Sequence, residues 1–493
     1  MKDVDVETGR TGAVRDRIIE YGILALIVFS PLPAASVYDW SVLAIELGAM
    51  MLAAVYMLSR GRVGADVSPE GITKWPRRMW TGFAFFLIIQ VVPFPGSIVR
   101  ILSPETFARK IPYAGGPTAL MSLSLVPDRT LREGLLIASC LLLGSLIIAT
   151  VRHRSQILRM IYVLVGMGVF ESLYGLLQLY SASPRILFYP KTYNLDSVTG
   201  TFVNRNHFSG YLEMVVPLAL GLIVSRLNIF SSSRTRLRDR ALQMSEKHFL
   251  ASTALFLSVL VMGLGVIFSK SRSGVFIFVL IFLLFFGGVL LIKERLGEQK
   301  KTIVISLQVL FAVILGISLY AGIASTLARF GMDKLLKEQR PVFWAETLRQ
   351  FSRFPVFGTG LGTFAAVYPG SEENGTLIHI YHAHNDYLEF LSELGVVGSL
   401  LLFGAVFSVL FLAYRKWTKR RSSEIRSLAL GGFVAVFAIL LHSLTDFNMQ
   451  IPANLILFTV VLSMTISITN YRGRSTPSRW TTDSRVTGED GRK

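Results

Sequence analysis

Twelve stretches of this chain are each apolar enough, over about 20 residues, to cross a hydrocarbon layer about 30 Å thick. They run over roughly 18–36, 40–58, 79–97, 134–151, 157–179, 207–225, 250–268, 274–292, 303–323, 387–414, 427–445 and 453–470, with Pro93 and Pro95 marking the outer end of the third. In lipid every backbone N–H and C=O must find a partner within the protein, which a helix supplies within its own segment. The predicted fold is therefore all-α, a polytopic membrane protein with about 12 spans. Charged residues make up 17% of the chain, against about 25% in soluble proteins, too few for a water-facing surface of 493 residues. The single cysteine, Cys140, cannot pair within the chain and lies in an apolar run, where it reads as a small packing residue. The first span follows a charged stretch and has no small-residue cleavage site, so it does not resemble a cleavable signal.

Charge placement gives the orientation. With a cytoplasmic N-terminus and alternating spans, 34 of the 50 Lys and Arg fall inside and 16 outside. Six of the outer ones sit in one long loop that the positive-inside rule exempts. The net charge of +18 thus reflects topology and contact with anionic lipid, and nucleic acid is not an expected partner. On this reading residues 1–17 form a cytoplasmic segment, 18–470 the transmembrane domain and 471–493 a polar, disordered cytoplasmic tail.

Three outward segments carry more polarity than a connection needs: about Ser181 to Asn206, the turn Ser269-Lys-Ser-Arg272-Ser273, and a loop from about Ala324 to Asp386. A fourth, about 98–133, is long but offers no concentrated motif. In the longest loop, Leu335, Leu336, Phe343, Trp344, Leu348 and Phe351 recur at helical spacing among basic residues. That pattern predicts two short amphipathic helices on the membrane surface, the second starting at Pro341. Gly358-Thr-Gly-Leu-Gly362 follows and reads as a flexible connection, since a phosphate loop would continue into Lys-Ser/Thr. The loop closes on His379, His382 and His384, three of the seven histidines. Such a cluster suits an interfacial polar loop, a metal site, or a general base at His384. Asp386 and Glu389 read as a capping pair for the next helix. Arg272 in its Ser-Arg-Ser turn, with Arg205 and Arg340, suits either membrane anchoring or an anion with several oxygens. Helix N-termini near Phe208, Gly274 and Tyr387 would add positive dipole ends to the same outer face. Glu171, Tyr174 and Gln178 form a polar stripe leading outward on the fifth span, placed to line a groove or to bind protons.

Four blocks follow one another along the chain: Gly200-Thr-Phe-Val-Asn-Arg205-Asn206-His207-Phe208, Ser269-Lys-Ser-Arg272-Ser-Gly274, Arg340-Pro-Val-Phe-Trp344 and His382-Ala-His384-Asn385-Asp-Tyr-Leu. In this order they resemble the motif series of the O-antigen ligase/polymerase family of bacterial envelope glycosyltransferases. They cover about residues 160–415. The resemblance implies a helical membrane fold in the inner membrane with a large periplasmic loop. It also implies transfer of a glycan from an undecaprenyl-diphosphate carrier to a lipid- or carrier-linked acceptor, with no metal, cofactor or nucleotide sugar. Residue by residue, Arg272 and Arg340 match the family's donor-diphosphate arginines and His384 its histidine. Arg205, Asn206, His207, His382 and Asn385 match or flank the same blocks and are carried as substrate-binding candidates, with Glu171 and Gln178 added from the polar stripe.

That chemistry suits the side chains. A diphosphate leaves readily once its charge is stabilised, which two arginines can do. Histidine is a base of suitable strength for an acceptor hydroxyl. Attack opposite the leaving group inverts the anomeric centre. The competing class is a twelve-span transporter or flippase, for which Glu46, Glu171 and Glu213 would be the membrane-embedded charges; no repeat relates 1–230 to 250–470. A third, a non-catalytic assembly scaffold, would make every outward Arg and His dispensable.

Overall fold

The computed structural model describes residues 2–60, 74–230, 246–291, 299–320, 339–368 and 380–471. It is helical throughout, with two short β-pairs at the surface. The long helices are α1 (Lys2–Phe29), α2 (Asp39–Arg60) and α3 (Lys74–Val91), followed after two small helices, α4 (Gly96–Leu102) and α5 (Pro104–Lys110), by α6 (Pro127–Thr150) and α7 (Arg154–Leu179). Then come α8 (Arg205–Phe230), α9 (Glu246–Phe268), α10 (Arg272–Leu291) and α11 (Gln299–Tyr320). The amphipathic α12 (Arg340–Arg353) and the one-turn α13 (Phe364–Val367) precede α14 (Asp386–Thr418), α15 (Ser423–His442) and α16 (Pro452–Asn470).

A helix thus occupies each of the twelve apolar stretches, and nine of them among the described residues are long and apolar enough to cross a membrane: α2, α6 to α10 and α14 to α16. The chain is a multi-pass membrane protein. Leu47, Leu283, Phe407 and Phe411 stand more than half exposed on these helices, where lipid is the solvent that tolerates them. Helix α1 starts at Lys2, so the segment ahead of the first apolar stretch is helical and continuous with it. The first of the two amphipathic loop helices lies outside the described residues, as does the tail from 472; the second is α12.

Helix α8 is the centre of the bundle, with its whole apolar window buried. Its closest partner is α15, and glycines set the approach. A Cβ at Gly431 would lie 2.5 Å from the Pro217 carbonyl, and one at Gly221 would lie 2.8 Å from that of Ser427. Small residues let the two backbones touch, which is how helices associate where water gives no hydrophobic drive.

Helix α14 breaks at Gly395, whose φ of 62° is left-handed. The N–H groups freed there donate to the loop ahead of it: Val396 to Pro355 O at 2.8 Å and Val397 to Val356 O at 3.2 Å. In return Thr359 and Gly360 donate to Ser392 O and Glu393 O. Gln90 of α3 donates to Phe357 O and Glu393 O, holding both strands of this contact. The Gly358–Gly362 segment is therefore more than a connection: it is wedged against a broken helix, and a Cβ at Gly358 would meet Glu393 O at 2.2 Å. The 98–133 segment also has order, with α4, α5 and the pair Phe94–Pro95 with Leu120–Met121 enclosing Val99, Met121 and Leu123.

Two ends of the bundle differ. At one, Arg154 pairs with Glu424 and Arg159 with Glu20, both at 2.6 Å, and Lys416 and Arg420 bind Asn470 and the Thr469 carbonyl. The opposite end gathers the polar loops.

Candidate active site

Helix α14 begins by joining α15. Asn385 is its N-cap: the extended backbone directs Oδ1 to accept the N–H groups of Tyr387 (3.0 Å) and Leu388 (3.1 Å). Its Nδ2 donates to Leu444 O, and the Asp386 N–H donates to Ser443 O. The predicted capping pair is thereby corrected. Asp386 is buried and accepts the Met449 N–H at 3.1 Å, while Glu389 reaches back to accept the Ala383 N–H and to pair with His382 Nδ1, both at 2.8 Å. Asn385 takes the cap because its short amide can bond its own backbone two and three residues on.

The residue before the cap is His384. Its φ of 53° is a left-handed conformation that a side chain with a Cβ rarely adopts. The cap on one side and Trp344 Nε1–H on its carbonyl (3.4 Å) hold it there. From that position Nδ1 meets Asp446 Oδ1 at 3.1 Å.

Asp446 lies in the turn between α15 and α16 and is the centre of the site. Its Oδ2 accepts from Asn206 Nδ2 at 2.5 Å and from Arg340 Nη2 at 3.4 Å. Its Oδ1 also lies 3.7 Å from His207 Nε2, longer than a hydrogen bond. Burial alone would raise this carboxyl, yet the imidazoles of His207 and His384 outweigh it and hold Asp446 well below the usual carboxylate range. An ionised Asp446 can only accept, so His384 donates through Nδ1 and keeps Nε2 as its basic nitrogen. His384 is 30% exposed and Arg340 19%, so both remain reachable beside a carboxylate that is fully buried.

Phe447 follows and is ringed by imidazoles. His382 stacks on it at 4.1 Å, while His207 and His384 meet it edge-on at 4.4 and 4.8 Å. Burial pushes the His382 imidazole down, but the Glu389 carboxylate prevails and holds it above its ordinary value. His379 lies outside the described residues.

Arg272 opens α10 on the flank of this cluster. Its turn is fixed by Ser269 Oγ to Ser209 Oγ (2.9 Å), by Ser271 Oγ accepting the Gly274 N–H, and by a left-handed Lys270 (φ 57°). Ser209 lies one turn after Arg205 and bonds its carbonyl, so the two arginines start neighbouring helices. The 181–204 loop covers this corner: Lys270 pairs with Asp196 (3.0 Å), Val198 N–H donates to Phe268 O, and Arg205 donates to Ser197 Oγ. Glu171 and Gln178 hold the same loop. Glu171 accepts from Thr201 N and Thr201 Oγ1, each at 2.7 Å, and Gln178 donates to Gly200 O and Arg185 O. Tyr174 OH completes the stripe by donating to Arg185 O and accepting from Leu187 N.

The sequence-selected His384, Arg340, Asn206 and His207 are thus brought together on one carboxylate, with His382 across Phe447. Arg272 and Arg205 stand on the flank, and Asn385, Glu171 and Gln178 are engaged by backbone. Asp446 itself was missed; the signal available was a lone carboxylate in the short turn between the last two apolar stretches.

Residues 257–403 match the family model described as O-antigen ligase. The chain carries an O-antigen ligase domain. The matched stretch contains Arg272, Arg340 and His384, while Asn206, His207 and Asp446 lie outside it and are joined to it by the geometry. No curated protein matches the chain. The match supports a membrane glycosyltransferase of O-antigen ligase/polymerase type, a family whose substrates are lipid-linked glycans.

Proposed function

We propose that the protein transfers a glycan from an undecaprenyl-diphosphate carrier to an acceptor hydroxyl at the periplasmic face of the inner membrane, with both termini cytoplasmic. The convergence of His384 and Arg340 on Asp446 is the observation that carries this reading. His384 Nε2 removes the proton of the acceptor hydroxyl as its oxygen attacks the anomeric carbon, and Asp446 holds the needed tautomer and stabilises the imidazolium. Arg340 and Arg272 stabilise the diphosphate as its bond to the sugar breaks, without a metal ion. An arginine has five N–H donors, so Arg340 can bond Asp446 and a phosphate together. Attack from the face opposite the diphosphate inverts the configuration. Asn206 and His207 brace Asp446, Asn385 braces His384, and Glu171 and Gln178 brace the loop over Arg205.

The test is transfer in proteoliposomes from an undecaprenyl-diphosphate-linked glycan. His384→Ala, Arg272→Ala and Arg340→Ala are each expected to abolish it while inserting normally. Normal product from the His384 variant would refute the base assignment. Chain-length analysis of the product separates polymerase from ligase.

A further inference from the structure

One face of α6 borders two cavities, of about 90 and 370 Å³, that share Trp80, Cys140, Leu141, Phe458 and Thr459 in their walls. The smaller reaches Glu133 near the outer end of α6, and the larger reaches Ala149 at its other end. From Glu133 to Ala149 a helix rises about 24 Å at about 1.5 Å per residue. That is most of a hydrocarbon layer about 30 Å deep. The groove is built by α2, α3, α6, α14 and α16, and its walls are mainly apolar.

Its outer mouth adjoins the histidine cluster. Phe390 in the wall follows Glu389, the partner of His382, and Met449 in the wall donates its N–H to Asp386. Beside the lining residue Glu133, Arg129 and Arg132 are exposed on the first turns of α6, Arg132 lying 3.5 Å from an exposed Asp39. Two exposed arginines over an apolar groove complement a lipid with an anionic head group. Arg272 stands elsewhere, on α10, which packs mainly on α8, α9, α11 and α15. With the donor diphosphate assigned to Arg272 on that side of the bundle, the groove beside α6 is left for a second lipid.

We propose that this groove binds the hydrocarbon chain of the acceptor lipid, with its anionic head group at Arg129 and Arg132 and its sugar hydroxyl presented to His384. The assignment rests on the transfer reaction proposed above. Its test uses the full chain in nanodiscs and a polyprenyl-diphosphate-linked saccharide with a diazirine within its chain. Photolysis is expected to attach the probe to α6 and α16 in the wild type and in Arg272→Ala. Attachment confined to α9–α11 would overturn the proposal. Leu141→Trp, which fills the shared part of the groove, should raise KM for a long-chain acceptor about tenfold, the factor that two buried CH₂ groups already supply. It should leave KM for the donor and for an acceptor of about ten carbons within about twofold. A rise in donor KM, or no change at all, would also overturn it. If Leu141→Trp fails to insert, the wild-type attachment map decides alone. Attachment in α6 and α16 without transfer to any acceptor would sink the transfer reading and leave the lipid groove standing.

Discussion

Asp446 receives His384 Nδ1 at 3.1 Å from one side and Arg340 Nη2 at 3.4 Å from the other. Residues separated by 62 and 106 positions along the chain thus share one buried carboxylate. Asp446→Asn keeps the shape but can donate where a carboxylate only accepts, so it frees His384 to take the wrong tautomer. Transfer kcat is expected to fall about 10²–10⁴-fold, as in other histidine–carboxylate couples. Substrate KM should change little, and steady-state kinetics in proteoliposomes separate the two.

Arginine at 340 and 272 is expected to resist replacement by lysine. A planar fork can bond a phosphate in two places while Arg340 also reaches Asp446, and an ammonium cannot. Arg340→Lys and Arg272→Lys should each cost about 10²–10³-fold in kcat, the loss seen when one donor to a developing anion is removed. Full activity of either lysine variant would show that simple charge suffices there.

Asn385→Ala removes the cap of α14 and the bond to Leu444 O. It should destabilise the protein by about 1 kcal/mol and lower activity further by releasing His384 from its left-handed backbone. Asn385→Asp keeps the acceptor for Tyr387 and Leu388 and should recover most of the melting temperature, measured in detergent.

His382 and Asp446, both outside the apolar stretches, predict a stability window in pH. His382 is raised above its usual value, so its contribution is complete below about pH 6.5 and is lost as pH climbs through the raised value. Asp446 is lowered, so its contribution is complete above about pH 3.9 and is lost as pH falls through the lowered value. Melting curves across pH should show the alkaline loss in the wild type and not in His382→Gln.

Gly431→Val would place atoms where the Pro217 carbonyl already sits, 2.5 Å from the first added carbon. It is expected to cost about 1–3 kcal/mol by forcing α8 and α15 apart. Because Asp446 hangs from the end of α15, activity should fall at temperatures where the bundle is still folded.

The helical membrane fold was readable because lipid imposes a length and an apolar content on every span, and α2, α6 and α16 obey both. The site was partly readable: Arg272, Arg340 and His384 stand in dense polar blocks at span ends. Asp446 was not, because its role comes from a fold that brings a single acid beside residues 62 to 240 positions away. The capping assignment failed for a local reason. Asn385 and Asp386 are both good cap residues, and only the joint with Leu444 and Ser443 of α15 decides between them. The polar stripe of Glu171, Tyr174 and Gln178 was visible as a pattern, but its partner, the backbone of the 185–201 loop, carries no sequence signal.

The break at Gly395 fixes the loop beside it. Val396 and Val397 give their amide hydrogens to Pro355 and Val356 inside a break of the span-forming helix α14. Withdrawing the 355–360 segment would leave those amides and the Ser392 and Glu393 carbonyls without their partners, and a buried polar group left unpaired costs about 1–3 kcal/mol. That stretch is consequently a fixed brace of α14 and not a free connection.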